Sequence, residues 1–187
     1  VFLKHGFELF HDKQQVSIFE VGFGTGLNAI LTLQEAEKNQ VSVDYHGIEA
    51  YPVSAEELDA LTYESLLQDD KAVAYYKKLH QATWNSLEKI SPFFSLNKVH
   101  QKLEDYPFLP EQFDLVYFDA FGPRTQEEMW SAEIFVKLYS ALKPGGVLVT
   151  YCAKGQVKRD LKAAGFTIEA LPGPPGKREM TRAIKKA

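Results

Sequence analysis

Residues 19–28 read Phe-Glu-Val-Gly-Phe-Gly-Thr-Gly-Leu-Asn. The flanks say how such a run is used. Val16-Ser17-Ile18-Phe19 before it is short, apolar and rich in β-branched residues, while 27–37 after it holds good helix formers and no Pro or Gly. This is the pattern of strand, glycine turn and helix. Positions without a Cβ let backbone approach a ligand closely, and the first turn of the helix offers unpaired N–H groups. A plain tight turn would use the same glycines, so the surrounding residues must argue for a ligand. A dinucleotide fingerprint asks for glycine at 27, where this chain has leucine. What the chain has instead is an acid, Glu20, ahead of Gly22, Gly24 and Gly26. A second acid, Glu49, closes the strand-like segment 41–49, 23 residues beyond Gly26. A βαβ unit brings an acid at that distance to a ribose edge, where a carboxylate accepts from both hydroxyls. The alternative for Glu49 is an exposed loop carboxylate.

The remaining chain alternates in the same way. Segment 56–67 has leucines at helical spacing, with Pro52 as a start signal, and 72–90 reads as one helical run whose Tyr75, Tyr76, Leu79 and Trp84 are core or cap. Segment 94–100 is a third strand; Glu104 or Asp105 beyond it could meet a base, and spacing does not choose between them. The fourth strand, 113–118, ends at Asp119-Ala120-Phe121-Gly122-Pro123. Ligands of open parallel sheets lie at strand carboxyl ends, so Asp119 is expected to face the crevice of Gly22 and Gly24; a helix-cap or turn aspartate is the alternative. A helix over 132–142 is broken by Lys143-Pro144-Gly145-Gly146, then come strand 147–151, basic helix 155–164, strand 167–171 and a last strand 178–185. The sum is an α/β fold with a seven-stranded, mostly parallel sheet flanked by helices, one domain over 1–187.

Composition narrows the class. At 187 residues, 45% hydrophobic and 25% charged, the chain is ordinary for a globular domain. No stretch approaches the ~18 apolar residues of a membrane span, and no signal-peptide pattern opens it. A lone cysteine, Cys152, cannot pair internally, and the cytoplasm is the expected compartment. The chain starts at Val1 inside an apolar run, which suggests that an N-terminal piece is missing. Its five histidines show no ligand spacing with one another or with Cys152, so no metal is expected. Segment 154–187 holds nine Lys or Arg against three acids, a net +6, leaving −10 on the first 153 residues. Such a basic end suits a local phosphate-binding face; a solvated helix and tail would read the same.

The acidic-x-Gly-x-Gly-x-Gly run is the form found in S-adenosylmethionine (SAM) methyltransferases. With Val1-Phe2-Leu3, Asp119-Ala120-Phe121-Gly122-Pro123, Met129-Trp130, Lys143-Pro144-Gly145-Gly146 and Gly176-Lys177-Arg178-Glu179-Met180, the chain resembles the methyltransferase domain of the MnmC type over nearly its whole length. The resemblance implies a class I, Rossmann-like fold, SAM as cofactor and tRNA as partner. The reaction it implies is methylation of 5-aminomethyl-2-thiouridine at the wobble position to 5-methylaminomethyl-2-thiouridine. Glu20, Gly22, Gly24, Gly26, Asn28 and Asp119 would then hold SAM with Glu49 on the ribose. Asp119 and Phe121 would meet the acceptor amine, with Pro123 and Tyr151 around it, and Lys177, Arg178 and Met180 would stand near the incoming nucleotide. The two-domain form adds an FAD-dependent oxidase, for which 187 residues leave no room; a separate oxidase or another aminomethyl-uridine-forming enzyme is the expected partner. Two rival readings share the motifs: a small-amine methyltransferase or aminopropyltransferase, and a non-catalytic SAM- or tRNA-binding module.

Overall fold

The apolar segments form the sheet that their patterns predict, with one strand more. The computed structural model describes residues 1–60, 67, 69–173 and 175–187. A first turn of helix α1 (Phe2–His5) and a 3-10 turn (Phe7–Phe10) lead into β1 (Gln15–Val21), α2 (Leu27–Asn39) and β2 (Ser42–Glu49). Next come α3 (Ala55–Asp59), α4 (Asp70–Gln81), β3 (Leu87–Ser91), β4 (Phe94–His100) and β5 (Phe113–Phe118). The chain continues with α5 (Ala132–Ala141), β6 (Leu142–Thr150), α6 (Gly155–Ala163), β7 (Thr167–Pro172) and β8 (Glu179–Ile184).

The sheet runs β3-β4-β2-β1-β5-β6-β8-β7. Its five central strands, β4 to β6, are parallel; β3, β8 and β7 pair antiparallel. Both faces are covered, as a parallel sheet requires. On one side Val16, Ile18, Tyr45 and Tyr117 pack with Ile30 and Leu33 of α2 and Leu79 of α4. On the other, Phe19, Val116 and Phe118 pack with Phe135 and Leu138 of α5 and Leu161 of α6. The order of strands reverses between β1 and β5. A crevice therefore opens above their carboxyl ends, where the connections leave in opposite directions.

Three boundaries differ from the expectations. The helical run over 72–90 stops at Gln81: Ala82 is extended, Asn85 takes φ 60°, and the chain returns as edge strand β3, the eighth. Periodicity missed it because Leu87 faces solvent while Ile90 is buried, an alternation too short to stand out beside a good helix. Helix α3 starts not at Pro52 but after Ser54, whose hydroxyl accepts from the Glu57 amide while Glu57 accepts from the Ser54 amide. The later part of that expected helix, 61–66, lies outside the described residues. Residues 143–146 do end α5 but also belong to β6, whose register against β5 shifts between Phe113 and Leu115.

Candidate active site

The glycine turn is stitched into the switch point by its own backbone. Gly22 and Phe23 donate to the Ile48 carbonyl, both at 3.1 Å, and Asp119 donates to the Val21 carbonyl at 3.0 Å. Gly22 has φ +84°, and a Cβ there would stand 2.8 Å from the Asp119 carbonyl oxygen. Only glycine lets the two loops pass so closely. The Gly24 amide donates to Glu49 Oε2 at 3.1 Å, and the Tyr51 amide to Glu49 Oε1 at 3.0 Å. Each bond leaves lone pairs on that carboxylate for a ligand hydroxyl. Helix α4 supports the turn from outside. The Thr25 carbonyl accepts from the Tyr76 hydroxyl at 2.9 Å and lies 3.1 Å from His80 Nε2. A carbonyl can only accept, so His80 carries its proton on Nε2.

Two acids meet behind the turn. Asn28 Nδ2 donates to Glu20 Oε1 and to Asp119 Oδ2, both at 2.9 Å, so one amide nitrogen bridges two carboxyls from different strands. Glu20 is buried and also accepts from the Tyr45 hydroxyl at 2.8 Å. Burial pushes its pKa up to about 8, against the pull of those two hydrogen bonds. Asp119 is raised as well, by burial first, with the Asn28 bond and the Lys177 charge opposing. Beside Asp119, the Tyr151 hydroxyl donates to the Ala120 carbonyl; its pKa is pushed up to about 12 by burial, then by the Asp119 charge and by Cys152.

These groups surround a cavity of about 590 Å³. Of the residues expected from sequence, it brings together Glu20, Gly22, Gly24, Asn28, Glu49, Asp119, Phe121 and Tyr151. Gly26 stands behind them as the left-handed N-cap of α2. Pro123 is outside the lining, and Arg178 is exposed on the hairpin between β7 and β8. Lys177, exposed on the same hairpin and outside the lining, sets its Nζ 3.5 Å from the centre of the Tyr151 ring. Met180 is corrected: it was expected near the incoming nucleotide, yet it is fully buried against the α2-side core, because alternation along β8 turns it into the molecule.

Sequence reasoning missed Tyr45, which holds Glu20 from a neighbouring strand and sits at no motif spacing. It also left out Tyr51, Gln126 and Met129, which line the cavity. Of the two acids beyond β4, Glu104 lines the cavity with Lys102, while Asp105 does not. Phe121 lies at the mouth, 71% exposed, its carbonyl held by Trp130 Nε1 at 2.7 Å.

A nucleoside carrying a cationic tail fits this arrangement. The Cβ-free turn gives the close approach, Glu49 offers acceptors for ribose hydroxyls, and the Glu20 and Asp119 pair suits a positive group. Among the described residues no group of three or more His, Cys, Asp and Glu is placed to hold a metal ion, and no helix is long and apolar enough to cross a membrane.

A mostly parallel sheet whose glycine turn, Glu49 and Asp119 converge at the switch point has the α/β, Rossmann-like fold of class I SAM-dependent methyltransferases. More specifically, residues 75–186 match the model of a family of S-adenosyl-L-methionine-dependent methyltransferases, and the chain belongs to that family. Its relatives include the tRNA 5-methylaminomethyl-2-thiouridine biosynthesis bifunctional proteins MnmC of Pseudomonas fluorescens and Cupriavidus necator. The first is 32% identical over 88% of this chain and the second 32% over 90%. The chain spans only 26% and 27% of the length of these two. Among solved structures, MnmC2 from Aquifex aeolicus superposes with a TM-score of 0.74 at 20% identity, over 96% of this chain and 56% of that one. An S-adenosylmethionine-dependent methyltransferase from Listeria monocytogenes gives 0.56 at 14%, over 93% and 92%. At those identities the likeness is one of fold.

Proposed function

We propose that this methyltransferase transfers the methyl group of SAM to the amine of 5-aminomethyl-2-thiouridine at the wobble position of tRNA, in the cytoplasm, on substrate made by an oxidase or another aminomethyl-forming activity. The observation that carries the reading is Asp119, held by Asn28 beside the cradle of Gly22 and Gly24 with Phe121 and Tyr151 next to it. The names of the MnmC relatives supply the substrate class. Bound SAM would present a methyl carbon made electrophilic by a sulfonium.

The protein's tasks are then to hold, orient and deprotonate. Glu49 and the turn amides would hold the nucleoside, and Glu20 and Asn28 the cationic amino-acid end. Asp119 would accept a hydrogen bond from the acceptor amine and aim its lone pair at the methyl carbon, opposite the sulfur. An alkylamine is mostly protonated at neutral pH, by analogy with lysine at about 10.4, so the site must also favour loss of one proton to water. The neutral amine would form its bond to the methyl carbon as the carbon–sulfur pair returned to sulfur, and the product would leave as a secondary ammonium.

The test is transfer of labelled methyl from SAM into tRNA from cells lacking the modification, read by nucleoside mass spectrometry. Methylaminomethyl-uridine is expected. Asp119→Ala is expected to slow turnover at least ~100-fold while changing SAM affinity less than ~5-fold, the ratio of a group used mainly in the transition state. Labelling of free small amines instead of tRNA would move the assignment to a small-amine enzyme, and SAM binding without transfer to either would point to a non-catalytic module.

A further inference from the structure

The hairpin between β7 and β8 folds back on itself to deliver one side chain. The Gly173 amide donates to the Arg178 carbonyl, and a Cβ on Gly173 would lie 2.5 Å from the Lys177 carbonyl oxygen, so the two ends of the turn touch. Lys177 leaves this turn and sets its ammonium on the face of Tyr151. Tyr151 is itself tied through its hydroxyl to Ala120, next to Asp119. A cation on an aromatic face is held there by the ring quadrupole. The ring, which lines the cavity, thus holds a positive charge at its rim, on the side of Asp119.

Resting on the function proposed above, we propose that Lys177 sets the charge state of the acceptor: its ammonium, seated on Tyr151, opposes Asp119 and drives the incoming amine to its neutral, nucleophilic form. The charged groups around the cavity set the balance that such a charge would shift. Asp119 comes from the β5 turn, Glu20 from β1, Glu49 from β2, Glu128 from the turn before α5 and Glu104 from beyond β4, with Lys102 the cation on that far wall. On the hairpin, Arg178 is exposed and Glu179 is engaged by Lys158 of α6 at 2.6 Å. Beside Asp119 alone, an alkylammonium would be held as an ion pair and its lone pair lost to the proton. A second cation nearby disfavours the ammonium form, as in other sites that depress an amine pKa. The proton leaves to water before attack. Lys177 forms no bond in the reaction and is a positioning residue acting through space.

The test compares wild type, Lys177→Met and Lys177→Arg in single-turnover methyl transfer to tRNA bearing aminomethyl-uridine, at saturating SAM, across pH 6 to 10. In Lys177→Met the rising limb is expected to move up by about one pH unit, the effect of one charge several ångströms away at an effective dielectric of about 20. The rate near pH 7 then falls ~10-fold while the rates at high pH converge, and Lys177→Arg restores the wild-type limb. An independent reading is the ¹⁵N shift titration of a labelled aminomethyl-uridine stem-loop bound with S-adenosylhomocysteine, whose midpoint should rise in Lys177→Met. A rate loss equal at every pH, or an unmoved ¹⁵N midpoint, overturns the role of Lys177 alone. Absence of transfer by the wild type to the aminomethyl acceptor overturns the functional reading itself, and this role with it.

Discussion

Glu20 shows how much one carboxyl can carry. Desolvated at the end of β1, it keeps its proton up to about pH 8, whereas an ordinary glutamate releases it near 4.5. The native state therefore binds one proton more than the unfolded chain between those values. Stability from this group is full below about 4.5 and is lost as pH rises through about 8, at up to ~1.4 kcal/mol per pH unit. Calorimetry of the ligand-free protein should show the melting temperature falling from pH 5 to 8, and Glu20→Gln should flatten that slope; parallel slopes would remove Glu20 as its source. A cation against Glu20 favours the ionised form, so SAM affinity should rise with pH through the same window. Titration in buffers of different ionisation enthalpy should detect the released proton. Sequence alone marks Glu20 as an acid before a glycine turn. Its raised acidity constant comes from a burial that no spacing rule measures, against the bonds from Tyr45 and Asn28, which reach it across 25 and 8 residues.

Among the elements, α4 stands out because it touches the glycine turn without belonging to the motif. Tyr76 and His80, one helical turn apart, face the same Thr25 carbonyl. Tyr76→Phe removes one of these bonds and should weaken SAM binding ~2- to 10-fold, the range for one net hydrogen bond, while far-UV circular dichroism stays as in wild type. An unchanged affinity would mean that the Tyr76 bond does not hold the turn for binding. Strands β1, β2, β4 and β5 were legible in the sequence because each combines β-branched or aromatic residues with a clear end signal. The glycine turn was legible because its backbone needs are local. Edge strand β3 was not, being five residues long with one face in water. Nor was the inward turn of Met180, which depends on β8 lying between two strands and not at an edge. Local chemistry reads well from a sequence, and partners brought together by topology do not.

At the scale of the whole molecule, the end of the sheet opposite the cavity is closed by one buried acid. Asp114 accepts from Lys13 Nζ at 2.8 Å, from Lys143 Nζ at 2.8 Å and from the Ser17 amide at 2.9 Å. Burial alone would raise its pKa; these three bonds hold it below the usual aspartate value. Its contribution is therefore present above about pH 3.8 and lost as pH falls through its lowered native value. Asp114→Asn should cost about 1–2 kcal/mol at neutral pH, since both lysines are partly exposed and can return to water, with SAM affinity unchanged. Urea denaturation at pH 7 and pH 3 would check both the size and its disappearance in acid. The strand order also has a consequence for the growing chain. Strand β7 leaves the ribosome before β8, yet it has no place in the sheet until β8 has settled against β6. A nascent chain halted between the two would already hold the glycine turn and Asp119, while β7 had no strand to pair with and Lys177 no hairpin to stand on.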